Sequence, residues 1–188
     1  MKTWTLPVAF ALLTVLNIGC NSKKETDGKE IAEEQNEQKF ENSLMEEDAA
    51  FVLTAAEGGM MEVMLGDIAQ TQGRSEKVKE FGQQMVIDHT AANNELKELS
   101  IKKNITISQQ LGKEKQDRYN EIAAKKGAEF DKAYMKFMVK DHKEDIEAFK
   151  KQTQNGKDGE LVVWARQKLP VLEHHLHMAE DLNKSVDK

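Results

Sequence analysis

The chain has 188 residues, 27 Lys and Arg against 33 Asp and Glu, a net charge of −6 and a single cysteine. A mildly acidic chain with no basic patch interleaved with aromatics is a poor ligand for a phosphate backbone, so no nucleic-acid partner is expected. One cysteine excludes a disulfide framework, so the fold has to stand on its apolar core.

Residues 1–19 read as a targeting segment. Lys2 precedes an apolar run from Leu6 to Leu16. A bilayer span needs about 20 apolar residues, so this run is too short to cross one. It has the length of a signal-peptide core. It ends in Leu16-Asn17-Ile18-Gly19-Cys20, which resembles a lipobox, with Asn17 where a branched aliphatic residue is usual. Cleavage before Cys20 would expose that cysteine for acylation. Two or three acyl chains anchor stably where one is marginal, at about 0.8 kcal/mol per buried CH₂. The expectation is an exported lipoprotein of the cell envelope, membrane-anchored outside the cytoplasm as a periplasmic or outer-membrane lipoprotein, with the lipid as its only membrane contact. Ordinary secretion with a free cysteine is the alternative. No later stretch reads as apolar enough for a transmembrane helix.

Residues 20–42, the anchor cysteine and the polar stretch Asn21–Asn42, read as a flexible tether, because Glu and Lys dominate and apolar residues are scarce. The domain is expected over 43–188, about 145 residues, enough for one core. Ser43 and Glu46 have capping-box spacing. A first long helix then carries Phe51, Ala55, Gly58, Leu65 and Ala69 on one face and stops near Gly73. A second, from about Ser75, carries Val78, Phe81, Met85, Ala92, Leu96 and Leu99. A connector follows, with a short helix expected within Ser108–Lys125. A third helix over Ala128–Thr153 buries Phe130, Tyr134, Met138, Ile146 and Phe149. A fourth over Asp158–Leu182 buries Leu161, Ala165, Leu172, Ala179 and Leu182, and Pro170 should kink it near Arg166. Short turns inside each pair and a long connector between the pairs describe an all-α four-helix bundle with a crossover between helices two and three.

One ionisable residue interrupts each apolar stripe near mid-helix: Glu62, His89, His142 and His175. Their distances from the turns differ by only about 5–6 Å along the axis, at 1.5 Å per residue, so the four can meet. A buried carboxylate needs a counter-charge, and a buried imidazole needs a partner at each nitrogen. One divalent transition metal would supply both, Zn, Fe(II) or Mn before Cu for this donor set. A metal-free polar network that fixes the packing answers the same needs, and the chain would then be an envelope interaction or stress-protection module. Met85-Val86-Ile87-Asp88-His89 is echoed by Met138-Val139-Lys140-Asp141-His142. Asp88 and Asp141 could each orient an imidazole. Met85 and Met138 read as core filler before soft-metal ligands. His174 and His177 read as surface residues. No phosphate loop, nucleophile elbow or Cys–His pair is present, so an enzyme is not the first expectation. A redox enzyme would need an open metal position.

From Phe51 to Leu182 the chain resembles the bacterial domain-of-unknown-function family 4142, assigned to predicted exported or outer-membrane proteins. The resembling segments are Gly58-Gly59 through Glu62 to Leu65-Gly66, Phe81 with Met85-Val86-x-Asp88-His89, and Phe130-Asp131-x-x-Tyr134 with Met138-Val139-x-Asp141-His142. The last is Leu169-Pro170-x-Leu172-x-x-His175-Leu176 with Ala179. The resemblance implies a ferritin-like bundle and no established activity. Many ferritin-like proteins hold two irons through Glu-x-x-His motifs. This chain lacks them, so iron storage is not expected.

Overall fold

The computed structural model describes residues 27–186, so the expected targeting segment and Cys20 lie outside the described residues. Six helices follow in order: α1 Gly28–Phe40, α2 Glu46–Gln72, α3 Glu76–Lys102, α4 Lys113–Ala123, α5 Gly127–Asn155 and α6 Gly159–Val186. No β-strand occurs among the described residues. The four long helices lie within a few residues of their expected positions. α2 packs on α3 and α5 on α6, and the pairs join along α2–α5 and α3–α6. The long connection through α4 crosses from one helix pair to the other, so the bundle is of the crossover kind.

Two carboxylates lock the pairs end to end. Asp131, in the first turns of α5, accepts from the backbone N–H of Arg74 and Ser75 in the α2–α3 turn, at 3.0 and 2.9 Å. Asp48, in the first turn of α2, accepts from Lys157 and Asp158 N–H in the α5–α6 turn, at 3.0 and 2.6 Å. Each turn of one hairpin is thus held by the N-terminal end of the other hairpin's first helix. These bonds fix the axial register of the four helices, and α3 and α5 run parallel across the bundle diagonal.

The core divides in two. Met61, Leu65, Phe81, Met85, Phe130, Tyr134 and Met138 fill one half. Phe51, Leu96, Ile146, Phe149, Leu161, Trp164 and Leu172 fill the other. His89, His142 and His175 lie between the two in sequence on their own helices, and Glu62 directly follows Met61 at the edge of the first half.

Several expectations change. The flexible reading of residues 21–42 does not hold from Gly28 onward, where α1 docks on α2. Its docking is largely polar: Ala32 and Asn36 are buried, and the Asn36 amide pairs with Thr106 backbone N–H and C=O at 2.7 and 2.8 Å. Such contacts leave no apolar periodicity to read. Ser43 does not cap α2; its hydroxyl accepts from Met45 N–H, and the helix begins at Glu46. α2 is also long and apolar enough to cross a membrane by composition, contrary to expectation, but most of its apolar window is buried within the bundle. α6 continues through Pro170, and the connector helix is confined to α4.

α2 and α3 approach most closely at glycines. A Cβ on Gly66 would stand 2.6 Å from the Gly82 carbonyl oxygen, and one on Gly82 would stand 2.6 Å from Ala69 Cβ. Gly66 is one turn beyond Glu62, so this approach also sets the spacing of the central side chains. Exposed helical Gly→Ala substitutions stabilise by about 1 kcal/mol. Gly66→Ala is expected to do the reverse and destabilise by about 1–3 kcal/mol, the cost of overpacking against backbone. Urea unfolding of Gly66→Ala beside Gly59→Ala, whose Cβ would meet the movable Asn93 side chain instead, checks this. The larger loss is expected at Gly66.

Candidate metal centre

All four residues singled out by the interrupted stripes meet. Glu62, His89, His142 and His175 are 1 %, 6 %, 0 % and 0 % exposed, which places them fully inside the bundle. The imidazole centroids are mutually 5.3–5.7 Å apart. One nitrogen from each of His89, His142 and His175 falls within 4.8 Å of the others. Glu62 bridges two of them: Oε2 is 2.7 Å from His89 Nδ1, and Oε1 is 3.4 Å from His142 Nε2. Neither carboxylate oxygen is aligned for a hydrogen bond.

Neighbours fix two ring tautomers. His142 Nδ1 lies 3.1 Å from the Met138 carbonyl oxygen, which can only accept, so Nδ1 carries the proton. Its Nε2 therefore bears a lone pair, buried and without a hydrogen-bond partner. His175 Nε2 lies 2.8 Å from Asp88 Oδ2. Burial would push the Asp88 carboxyl up, but hydrogen bonds from Gln84 and His175 outweigh it and hold Asp88 below its ordinary value. It is an acceptor, so His175 Nε2 is the donor, and its buried Nδ1 lone pair has no partner. The remaining ring atom without a partner is His89 Nε2.

Asp88 does steady an imidazole, but that of His175 across the α3–α6 interface, not the adjacent His89. Asp141 departs further from expectation. It sits against Lys115 Nζ at 3.5 Å and points into a second, acidic group with Glu62 and Asp145, whose carboxylate oxygens lie within 4.8 Å of one another. Met85 and Met138 are fully buried in the apolar half-core. His174 and His177 are exposed. Tyr134, a possible partner for Glu62, has no hydrogen bond to its hydroxyl among the described residues.

Asp145 and Lys115 escaped the sequence reading. Asp145 lies three residues after His142 and four after Asp141. It is partly exposed as a residue but turns its carboxyl inward. The His142-x-x-Asp145 spacing was the available signal. Lys115 lies on the connector helix, outside any stripe, and only the fold brings it to Asp141.

The electrostatics follow from burial. Burial, reinforced by Asp141, pushes Glu62 well above the ordinary carboxylate range. Burial and Glu62 do the same to Asp145. Burial also raises Asp141, partly offset by Lys115. The imidazoles move the other way. Burial with the neighbouring rings takes His142 down to about 3. Burial takes His175 down to about 4 against the pull of Asp88. His89 is lowered chiefly by burial. At neutral pH the rings are neutral donors, while the carboxyls strain to hold protons.

A family model for a domain of unknown function, DUF4142, matches residues 33–182. No curated protein and no solved structure matches the chain. The match spans α2 to α6 almost entirely and includes every residue of the His–carboxylate centre, so this chain belongs to the DUF4142 family of domains of unknown function.

Proposed function

We propose that this is an exported, lipid-anchored metal-binding protein that holds one divalent transition ion at mid-bundle through Glu62, His89, His142 and His175. The observation that carries it is the state of the rings. His142 and His175 each have one nitrogen tied, to a backbone carbonyl and to a carboxylate. Each presents the other, with its lone pair, to a buried group of donors. Orientation of an imidazole by a carbonyl or carboxylate behind it is the usual support of a metal-ligating histidine. Leaving so many buried donors without partners is costly in a metal-free core. Nitrogen and carboxylate donors suit Zn, Fe(II) or Mn, with Cu less favoured. Binding, buffering or sensing of metal outside the cytoplasm fits the donor set. A metal-free polar network that fixes the packing is the competing reading.

Full-length protein carrying Cys20→Ser, which removes the one thiol, is expected to hold about one ion per chain after dialysis against Zn²⁺ or Mn²⁺. Metal at a hundredfold excess over its dissociation constant should add about 2.7 kcal/mol of stability. His89→Ala/His142→Ala is expected to hold almost none and to show no metal-dependent melting shift. Equal, near-zero metal in both chains would remove this reading in favour of the metal-free network.

The pKa directions predict how metal enters. The rings already stand neutral, whereas Glu62 and its neighbours resist ionising. Metal uptake should therefore release protons from carboxyls. Calorimetry in buffers of different ionisation enthalpy measures that release. Glu62→Gln should reduce it and weaken binding.

Anchoring rests on Cys20 and the apolar run before it. Labelled palmitate incorporated into the wild-type chain, and lost from Cys20→Ala, is the expected outcome. Labelling that persists in Cys20→Ala would contradict it.

A further inference from the structure

A cavity of about 150 Å³ enters the bundle among α2, α3, α5 and α6 and ends on the donor cluster. Apolar side chains, Ala55, Ala92, Phe149, Trp164 and Leu172, form much of its wall, and the donors Glu62, His89 and His175 line it together with Asp88 and Asp145. His142 and Asp141 do not line it, so the cluster borders this space on one side. The outer end reaches the surface at Ala91 and Val171, both exposed. Lys168 also lines the cavity, but its ammonium is paired with Glu95 at 2.6 Å, and Glu95 also accepts from Trp164 Nε1 at 3.1 Å.

We infer that this cavity receives a small, neutral, largely apolar molecule whose single nitrogen or oxygen donor binds the metal beside His89 and His175. The inference rests on the metal reading above and adds a ligand class to it. Size supports it: an apolar protein cavity of about 150 Å³ accommodates a benzene-sized ring. Charge supports it as well. Lys168 is neutralised by Glu95, and the inner end carries carboxyls, so nothing in the passage attracts an anion. Apolar walls with a few convergent polar groups at one end are the usual character of a small-molecule site. With three histidines and Glu62 on the ion, a donor from the cavity would take a fifth position, an expansion that open metal sites accept.

The probe is imidazole, titrated into full-length Cys20→Ser protein loaded with Co²⁺, whose visible spectrum reports its coordination. A saturable one-to-one spectral change is expected, with no change on adding a tert-butyl imidazole too broad for the cavity. Ala92→Leu and, separately, Ala55→Leu narrow the walls without touching a metal donor. A leucine there occupies the volume the ring needs, so imidazole affinity should fall about tenfold or more in whichever variants fold, with Co²⁺ affinity unchanged. Stoichiometric Co²⁺ with a spectrum indifferent to imidazole overturns the inference and leaves the metal reading standing. Equal imidazole affinity in the wild-type chain and a folded wall variant also overturns it, because the ligand then binds elsewhere. Failure to bind Co²⁺ at all removes the metal reading, and this inference with it.

Discussion

A carboxylate in the interior of a helical bundle must be neutralised, and Glu62 imposes that condition on the four helices around it. Asp141 and Asp145 lie beside it, and among the described residues the only cation to reach the group is Lys115, which approaches Asp141 from α4. Three carboxyls against one ammonium leave an excess of negative charge where solvation is lost. The imidazoles cannot correct it by taking protons, because burial holds them neutral. Without another cation, the carboxyls must keep protons, and burial drives them in that direction. A divalent ion among the nitrogens and Glu62 would satisfy the same balance with every group ionised as it prefers. Carbonyl and carboxylate support for the rings has a purpose in that arrangement and little in a protonated one.

The surrounding packing makes such a centre sustainable. Each half of the core is filled with large apolar side chains, including Phe81, Phe130 and Tyr134 on one side and Phe51, Phe149 and Trp164 on the other. Edge-to-face and stacked ring pairs hold both halves, such as Phe51 on Phe149 and Phe130 on Tyr134. The polar layer can be costly because it is thin and the apolar layers beside it are not. Asp48 and Asp131 complete the frame from the two ends. Helix sliding would have to break four backbone N–H bonds before it moved an imidazole away from Glu62. Rigid elements with pinned register are what precise ligand geometry requires.

How much of this could be read from the chain depends on the kind of contact. The four long helices announce themselves through apolar spacing, and the central residues through the places where that spacing fails. Glu62, His89, His142 and His175 were legible because a charged or polar residue on a buried stripe has no bland explanation when it recurs on every helix. Asp145 was not, because it flanks the stripe and only its carboxyl turns inward. Lys115 was not, because nothing in a short polar helix tells which core group it will face. α1 was read as tether for the same reason: the Asn36 amide, the Lys29–Glu57 ion pair, the Lys39 ammonium and a buried alanine hold it, and none leaves a periodic trace.

The repeated Met-Val-x-Asp-His segment shows where local sequence stops deciding function. In both copies the histidine turns into the bundle and the methionine fills the same half-core one turn earlier, because helical spacing fixes both. The aspartates share a position and do different work. Asp88 lies on α3, which borders α6, and accepts from the His175 ring. Asp141 lies on α5, which borders α4, and meets Lys115 and the other carboxyls instead. Helical spacing settled which residues enter the centre. The neighbours supplied by the crossover settled whether an aspartate steadies an imidazole or adds to the charge that a cation must answer.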